Sequence, residues 1–254
     1  MNITTWNVNS IKVRLPQVLH WLQNNRPDVL AVQELKFNDD DFLRAELAKI
    51  GFQAAINSQK TYNGVALFSA NELTDISLDI PNFPDEQKRL IAATVNNIRI
   101  INVYCVNGEN LDSPKFQYKK QWFDALIAYI KQEISRYENL ILLGDFNIAP
   151  ADMDVFDGEK RRGKILCSDE ERSRFQALLN SGLHDSLRET DGENQLFTWW
   201  DYRMNGFKRN LGMRIDHILL SDALMKKMQG FIIDREARAA ERPSDHAPVT
   251  IQLA

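Results

Sequence analysis

The sequence predicts an α+β fold in one domain spanning residues 1–254, with two similar β-sheets packed face to face and helices outside. Three observations carry this reading. Most strand-like runs are continuous apolar segments of about four to eight residues, as expected for strands covered on both faces. Amphipathic segments of helical spacing alternate with them. The two halves also look alike, each offering a strand that ends in acid and amide groups: Trp6-Asn7-Val8-Asn9 in one, Gly144-Asp145-Phe146-Asn147 in the other.

Taken in order, the strand-like runs are Ile3–Val8, Val29–Gln33, Val65–Ser69, Leu90–Val95, Arg99–Cys105, Leu140–Leu143, Ile215–Leu220 and Ala247–Leu253. The helical segments are Ser10–Asn24, Asp39–Ile50, Ser113–Arg136, Asp169–Asn180 and Asp222–Met228. Ser113 followed by Pro114 joins an N-cap to a proline at the first helical position. In the segment they open, Phe116, Phe123, Leu126, Ile127 and Ile130 recur at helical spacing, so that stripe is core. No linker or low-complexity tract interrupts the chain.

A chain of 254 residues buries roughly three quarters of its unfolded surface, so it needs neither metal nor disulfide to fold. Its 44% hydrophobic and 26% charged residues exclude a disordered, collagen-like or membrane-spanning chain. No apolar run approaches the roughly 18 residues of a transmembrane helix. Cys105 and Cys167 form no disulfide framework, CxxC pair or zinc spacing, and Met1-Asn2-Ile3-Thr4-Thr5-Trp6 has no signal-peptide character, which points to the cytoplasm. Lys+Arg 31 against Asp+Glu 35 gives a net charge of −4, the wrong sign for a protein that coats nucleic acid. A nucleic-acid ligand then requires a local basic patch, or metal ions on the acids.

The informative feature is where strands end. Asp145 and Asn147 follow the run Leu140–Leu143 and, two apart in extended chain, face one side. Asn7 and Asn9 share a face for the same reason, and Glu34 ends Val29–Gln33. Asp216 lies in Arg214-Ile215-Asp216-His217-Ile218, and Asp245-His246 opens the last strand. Polar groups at the ends of buried strands are costly unless paired or used, so their concentration marks a site. Carboxylates and amides without a Cys/His cluster suit a hard cation such as Mg²⁺ or Mn²⁺ rather than zinc. A metal, a free His and several acids are what phosphodiester hydrolysis requires. The His also needs an orienting carboxylate. Asp245, its neighbour, points to the opposite face of an extended segment, so Asp216 from another strand is the better partner.

Trp6-Asn7-Val8-Asn9-Ser10, Val32-Gln33-Glu34-Leu35-Lys36, Asn63-Gly64-Val65-Ala66, Asn102-Val103-Tyr104, Gly144-Asp145-Phe146-Asn147-Ile148-Ala149, Thr198-Trp199-Trp200, Arg214-Ile215-Asp216-His217 and Ser244-Asp245-His246-Ala247-Pro248 together resemble the exonuclease III family of exodeoxyribonucleases and class II abasic-site endonucleases. The resemblance runs from residue 6 to residue 248. It implies a four-layer α/β sandwich of two mixed sheets with the site at one edge. It further implies a Mg²⁺- or Mn²⁺-dependent phosphodiesterase of base-excision repair, acting as a monomer on double-stranded DNA with abasic sites, nicks or 3′ ends, and not on membranes. By the same resemblance Glu34 is the principal metal ligand, with Asn7 and Asp245 close and Asp145, Asn147 and His246 completing the metal's surroundings. Asp145 aligns or activates the attacking water and Asn147 helps hold it; His246, oriented by Asp216, contacts the phosphate. Tyr104 contacts the scissile phosphate or leaving group with Asn107 as companion donor, and Asn9 joins the DNA-contacting set.

The chain departs from the family in two places. Met213 stands where many abasic-site endonucleases have Trp walling the sugar pocket, and Ile165-Leu166-Cys167-Ser168 lacks their Phe or Leu with Pro before Glu170-Glu171-Arg172. Both fall on substrate-shaping loops, so the expected activity is 3′→5′ exonuclease and 3′-end trimming, with abasic-site cleavage possible. The alternatives are abasic-site cleavage as the main activity, or a phosphatase or phospholipase of the same superfamily. Two basic clusters flank the blocks: Lys160, Arg161, Arg162 and Lys164, and Arg203, Lys208, Arg209 and Arg214 around Trp199, Trp200, Tyr202 and Phe207. DNA contact is expected from Lys164, Trp199, Trp200, Arg203, Lys208, Arg209 and Met213.

Overall fold

Two-residue alternation along the strands decides the layering. In the computed structural model, which describes residues 1–254, one sheet holds β1 (Asn2–Asn7), β2 (Val29–Gln33), β3 (Gln53–Asn57), β4 (Val65–Ser69), β13 (Met228–Ile233) and β14 (Val249–Leu253). The other holds β5 (Thr74–Leu78), β6 (Leu90–Val95), β7 (Ile98–Tyr104), β8 (Leu140–Asp145), β9 (Leu183–Asp185) and β12 (Asp216–Ser221). A small ribbon pairs β10 (Trp199–Trp200) with β11 (Gly212–Met213). The orders β13-β14-β1-β2-β4-β3 and β5-β6-β7-β8-β12-β9 correspond position by position. In each, one parallel pair, β1 with β2 and β7 with β8, sits among antiparallel neighbours. The likeness of the two halves is therefore one of topology.

The inward faces meet in a buried apolar layer that includes Ile3, Ala31 and Leu67 of the first sheet and Ile100, Leu143 and Ile218 of the second. On the outer faces lie the helices. Helices α1 (Ile11–Asn25) and α2 (Asp40–Ala48) set Val18, Leu22, Leu43 and Leu47 against Leu30, Val32 and Phe68. Helix α3 (Pro114–Arg136), the single turn α4 (Gly158–Arg161) and α5 (Asp169–Leu179) follow, and Phe123, Leu126, Ile130 and Phe175 cover Leu142 and Leu219. The result is a helix–sheet–sheet–helix sandwich. Helices α3 and α5 start where the caps are: Ser113 Oγ accepts from the Lys115 amide, and Ser168 and Glu171 cap one another. No helix is long and apolar enough to cross a membrane.

The departures from the expected elements have simple causes. The segment Asp222–Met228 is helical only as α7 (Asp222–Met225), and the chain then turns into β13. Strands β5 and β13 are edge strands with exposed Ile76, Leu78 and Ile232, so they lack the continuous apolar run of a two-face strand. The last strand starts at Val249 rather than Ala247, because Pro248 has no N–H for the ladder. Two more short helices, α6 (Ser186–Thr190) and α8 (Arg235–Ala239), complete the chain.

Candidate active site

The inward face of both sheets changes from apolar to polar toward one end. Along β1 it reads Ile3, Thr5, Asn7; along β2, Val29, Ala31, Gln33; along β7, Ile100, Asn102, Tyr104; along β8, Ile141, Leu143, Asp145. Buried Gln33 Nε2 donates to Thr5 Oγ1 at 2.9 Å and to Asn102 Oδ1 at 2.7 Å, which ties the polar band across the sheet interface, while Gln33 Oε1 is left without a partner. One step beyond that band lie Asn7, Tyr104, Asp145 and Asp216. Gly144 has φ 140, and a Cβ there would lie 1.9 Å from the Val103 carbonyl oxygen; glycine thus lets β8 approach β7 one residue before Asp145. Where the strands end, the backbone turns left-handed at Asn9 (φ 44), Glu34 (φ 55) and Asn147 (φ 50). Asn tolerates this; Glu does so at a cost of about 1–2 kcal/mol.

His246 Nδ1 lies 2.9 and 3.0 Å from the two Asp216 oxygens, and its Nε2 is 3.8 Å from Asp145 Oδ2. Burial by itself lowers the pKa of this ring, but Asp216 and Asp145 outweigh it and push His246 up to about 10. The ring is therefore a cation and a double donor. Burial, with Asp216 and Glu34 adding to it, pushes Asp145 up to about 7 against the pull of His246 and Asn7. The Asn7 amide bridges the acids, donating to Glu34 Oε1 and to Asp145 Oδ2, each at 2.9 Å. Lys36 Nζ holds Glu34 Oε2 at 2.6 Å and Asn9 Oδ1 at 2.7 Å. Asp245 stands to one side, its oxygens taken by Asn9 Nδ2 at 3.0 Å and Trp199 Nε1 at 2.9 Å. Despite burial, His246 and these two donors hold Asp245 below the usual carboxylate range.

On the other flank Asn107 Nδ2 donates to Asn147 Oδ1 at 2.9 Å, and Asn147 Nδ2 donates to the Cys105 carbonyl at 3.1 Å. The Asn147 backbone N–H donates to Asp145 Oδ1 at 2.9 Å. Burial first, then Glu34 and Asp145, drive the Tyr104 hydroxyl well above its usual pKa, so it stays protonated. The Arg89 guanidinium lies 4.9 Å from its ring centre. A cavity of about 680 Å³ opens beside Tyr104 and Asn107, lined also by Gln59, Tyr62, Arg89 and Tyr118.

The donor set fits a hard divalent cation. Carboxylate oxygens of Glu34 and Asp145 lie within 4.8 Å of one another and of a His246 ring nitrogen, so the two acids supply the oxygen donors beside the ring. The ion pairs of the site put Lys36 and His246 against Glu34, Asp145 and Asp216, with Asp245 adjacent. This excess of negative charge adds to burial in raising Asp145, and it is what an oxygen-seeking cation neutralises.

The residues expected to touch DNA divide into two groups. Arg203, Lys208 and Arg209 are exposed on one short segment beside exposed Tyr202 and Met204, and Lys164 is exposed on the turn after α4. Trp199 is half-buried against Met213 and Leu166. Trp200 is not available: it is fully buried, its Nε1 donates to Asn210 Oδ1 at 3.2 Å, and Phe207 packs edge-on at 5.1 Å. Adjacent residues of a strand face opposite sides, so only one of the two Trp can reach out. Met213 is likewise buried among Ala149, Val155, Cys167 and Ile215; it is a floor beneath Leu166 and Trp199, not a wall.

Arg214 also leaves the basic patch. It is 1% exposed, with Nε 2.7 Å from Asp154 Oδ1 and Nη1 2.8 Å from Asp185 Oδ2. His217 completes this network, its Nδ1 3.2 Å from Arg214 Nη1 and its Nε2–H donating to the Ile148 carbonyl at 2.9 Å. Residues that sequence reasoning passed over include Lys36, Gln33 and Asn102, each legible as a polar group in or just after an apolar run. Arg89 gave no such signal.

A buried His–Asp pair beside converging carboxylates, at the polar end of two stacked sheets, defines a site suited to phosphoester hydrolysis. The family model for the Endonuclease/Exonuclease/phosphatase family matches residues 4–246. Exodeoxyribonuclease III of Haemophilus influenzae is 34% identical over 98% of this chain and 98% of its own. The structure of a Neisseria 3′ phosphatase, NExo, bound to a product DNA hairpin superposes with a TM-score of 0.98 at 54% identity, covering 100% of this chain and 99% of that one. An AP endonuclease from Archaeoglobus fulgidus gives 0.95 at 35% identity, with coverage of 100% and 99%. The chain belongs to the Endonuclease/Exonuclease/phosphatase family, in the branch of exodeoxyribonuclease III.

Proposed function

We propose that this protein is a single-domain, Mg²⁺- or Mn²⁺-dependent DNA phosphodiesterase of base-excision repair that works chiefly at 3′ ends of double-stranded DNA. The observation that carries the reading is His246, held through Nδ1 by Asp216 with its Nε2 3.8 Å from Asp145 Oδ2, next to the Glu34–Asn7 pair. Glu34 would hold the cation, with Asp145 beside it and Asn7 fixing both carboxylates. The cation, when bound, neutralises charge on the phosphate. The other roles belong to the chain. His246 and Tyr104, both carrying protons, donate to phosphate oxygens. Asp145, between the cation site and His246 Nε2, is placed to take a proton from water. Asn107 and Asn147 fix the geometry between them. A protonated ring has no free lone pair, so phosphate is a better ligand for His246 than metal.

The exposed Arg203, Lys208 and Arg209 would grip the DNA backbone. The likeness to the Neisseria 3′ phosphatase supports 3′-phosphate removal, and the likeness to the Archaeoglobus AP endonuclease supports abasic-site cleavage as a second activity. Labelled duplexes carrying a recessed 3′ end, a 3′-phosphate or an internal abasic site, each with Mg²⁺, Mn²⁺ or EDTA, test the reading. Cleavage of none of them in Mg²⁺ or Mn²⁺ would overturn it.

A further inference from the structure

Beneath the Asn107–Asn147 pair lies a buried ammonium to which the chemistry above assigns no role. Lys119, on α3, is 1% exposed. Its Nζ donates to the Asn107 carbonyl at 3.1 Å, the Asn147 carbonyl at 2.8 Å and Glu171 Oε1 at 2.5 Å. An ammonium has three protons, and each here has one acceptor. Glu171, on α5 and 2% exposed, spends its remaining capacity on the turn before that helix. Oε1 also accepts from the Leu166 N–H at 3.0 Å, and Oε2 accepts from the Ser168 N–H at 3.0 Å and its hydroxyl at 2.6 Å. The loop carrying Asn107 closes on the same side chain, since a Cβ on Gly108 would meet Lys119 Cδ at 3.2 Å and Ile165 Cδ1 at 3.0 Å.

One nitrogen thus ties three separate segments: the loop after β7, the loop after β8 and the turn at residues 165–168. A buried ion pair of this kind contributes little net stability, because desolvation cancels most of the attraction. What it does supply is geometry, since both carbonyls belong to the residues whose side-chain amides meet at 2.9 Å beside Asp145. We propose that Lys119, held by Glu171, is a positioning residue that sets the Asn107–Asn147 amide pair against the reacting phosphate. This rests on the nuclease reading for its consequence in rate, but not for its consequence in structure. Lys119 reaches no substrate, so it acts on the transition state through the two Asn residues and leaves DNA affinity, set by exposed cations, largely alone.

Removing one partner of a buried pair leaves the other charge unmatched and can unfold the protein. The decisive variant is therefore the double Lys119→Met/Glu171→Gln, which keeps both shapes and removes both charges. Glu171→Gln alone keeps Nζ on the two carbonyls but removes its counter-charge, so its rate is compared only after its fold has been checked by circular dichroism. Steady-state kcat and KM on a duplex with a recessed 3′ end are measured beside the ¹H–¹⁵N side-chain amide signals of Asn107 and Asn147 in metal-free protein. The double variant is expected to lose about 10- to 100-fold in kcat with KM nearly unchanged, to shift or broaden both Asn signals, and to be impaired more than Glu171→Gln. A double variant that melts lower yet keeps wild-type kcat and unmoved Asn signals would overturn the proposal, and so would a kcat loss with those signals unmoved. If the wild-type protein cuts no DNA, the nuclease reading fails, while the Asn signals alone still decide whether Lys119 positions the pair.

Discussion

Asp145 and Asp216 are direct partners across the antiparallel pair β8–β12, and His246 lies between their carboxylates. Two acids at opposed positions on neighbouring strands repel unless something positive sits with them. The ring of His246 fills that place: the two acids raise its pKa, while it offsets part of the raise that burial and the neighbouring acids impose on Asp145. Asp216→Asn removes the stronger of the ring's two anchors. The expected result is a kcat lower by about 10²- to 10⁴-fold with DNA binding retained. A variant that lost only affinity would break the link between this pair and the chemistry.

Glu34 tests the charge argument from the other side. Glu34→Gln keeps the shape around Asn7 but removes one of the crowded negative charges. Metal affinity, read by titrating Mg²⁺ into the activity assay, should fall by at least about 10-fold. In EDTA the same variant should melt no lower than wild type, because repulsion among Glu34, Asp145 and Asp216 is relieved. A clear loss of stability in EDTA would mean that the Lys36–Glu34 pair matters more than the repulsion.

The basic loop and Arg214 should part company. Replacing Arg203, Lys208 and Arg209 by Gln should weaken duplex binding at low salt and flatten log K against log [salt] by about 0.9 for each phosphate no longer neutralised. Folding should be untouched, since all three are exposed. Arg214→Met should do the reverse: it leaves Asp185 without its cation in the interior and Asp154 with Arg188 alone, costing about 3–5 kcal/mol, and leaves the salt slope of any folded protein as it was.

How much of the fold and site is legible in the sequence depends on the range of the interaction. Asn7, Glu34, Asp145, Asp216 and His246 can be placed because each ends or interrupts an apolar run, and period two gives its face. Trp199 and Trp200 are adjacent, so alternation says that one is buried but not which. The choice is made by the β10–β11 ribbon and by Arg235 and Arg238 of α8, whose guanidiniums lie over Trp200 and Tyr202. Lys119 and Glu171 read as ordinary charges on helices, because their pairing spans 52 positions and has no local signature. The edge strands β5 and β13 escape for want of a second buried face.

His217 provides a pH test of folding. Burial first, then Arg214, lowers its pKa from 6.5 to about 4, and the neutral ring is fully bonded between Arg214 and the Ile148 carbonyl. Between those two pH values the unfolded state binds the proton and the folded state does not, so stability falls as pH drops through 6.5 toward 4. From pH 7 to pH 5 this one group should remove about 2 kcal/mol. Urea unfolding of wild type and His217→Gln at both pH values isolates it: the variant is less stable at pH 7 but loses less on acidification. Equal losses in the two proteins would mean that His217 is already charged in the folded state.

The last prediction concerns which DNA end the site accepts. Met213 supports Leu166 and Trp199 from below, among Ala149, Val155, Cys167 and Ile215. An internal abasic sugar has to leave the helix and enter a pocket, whereas a 3′-terminal group needs no such flip. With Leu166 and Trp199 held up by Met213 the cleft favours the second, so the wild-type protein should trim 3′ ends faster than it cuts abasic sites. Met213→Ala leaves a void into which both side chains can sink, at a cost of about 2–5 kcal/mol in stability. The ratio of abasic cleavage to 3′ trimming should then rise, by about 10-fold for one displaced apolar side chain. Met213→Leu, which conserves volume, should leave the ratio where it was. An unchanged ratio in folded Met213→Ala would show that the floor does not set the choice, and a wild-type protein that prefers abasic sites would show that the cleft is already wide enough without it.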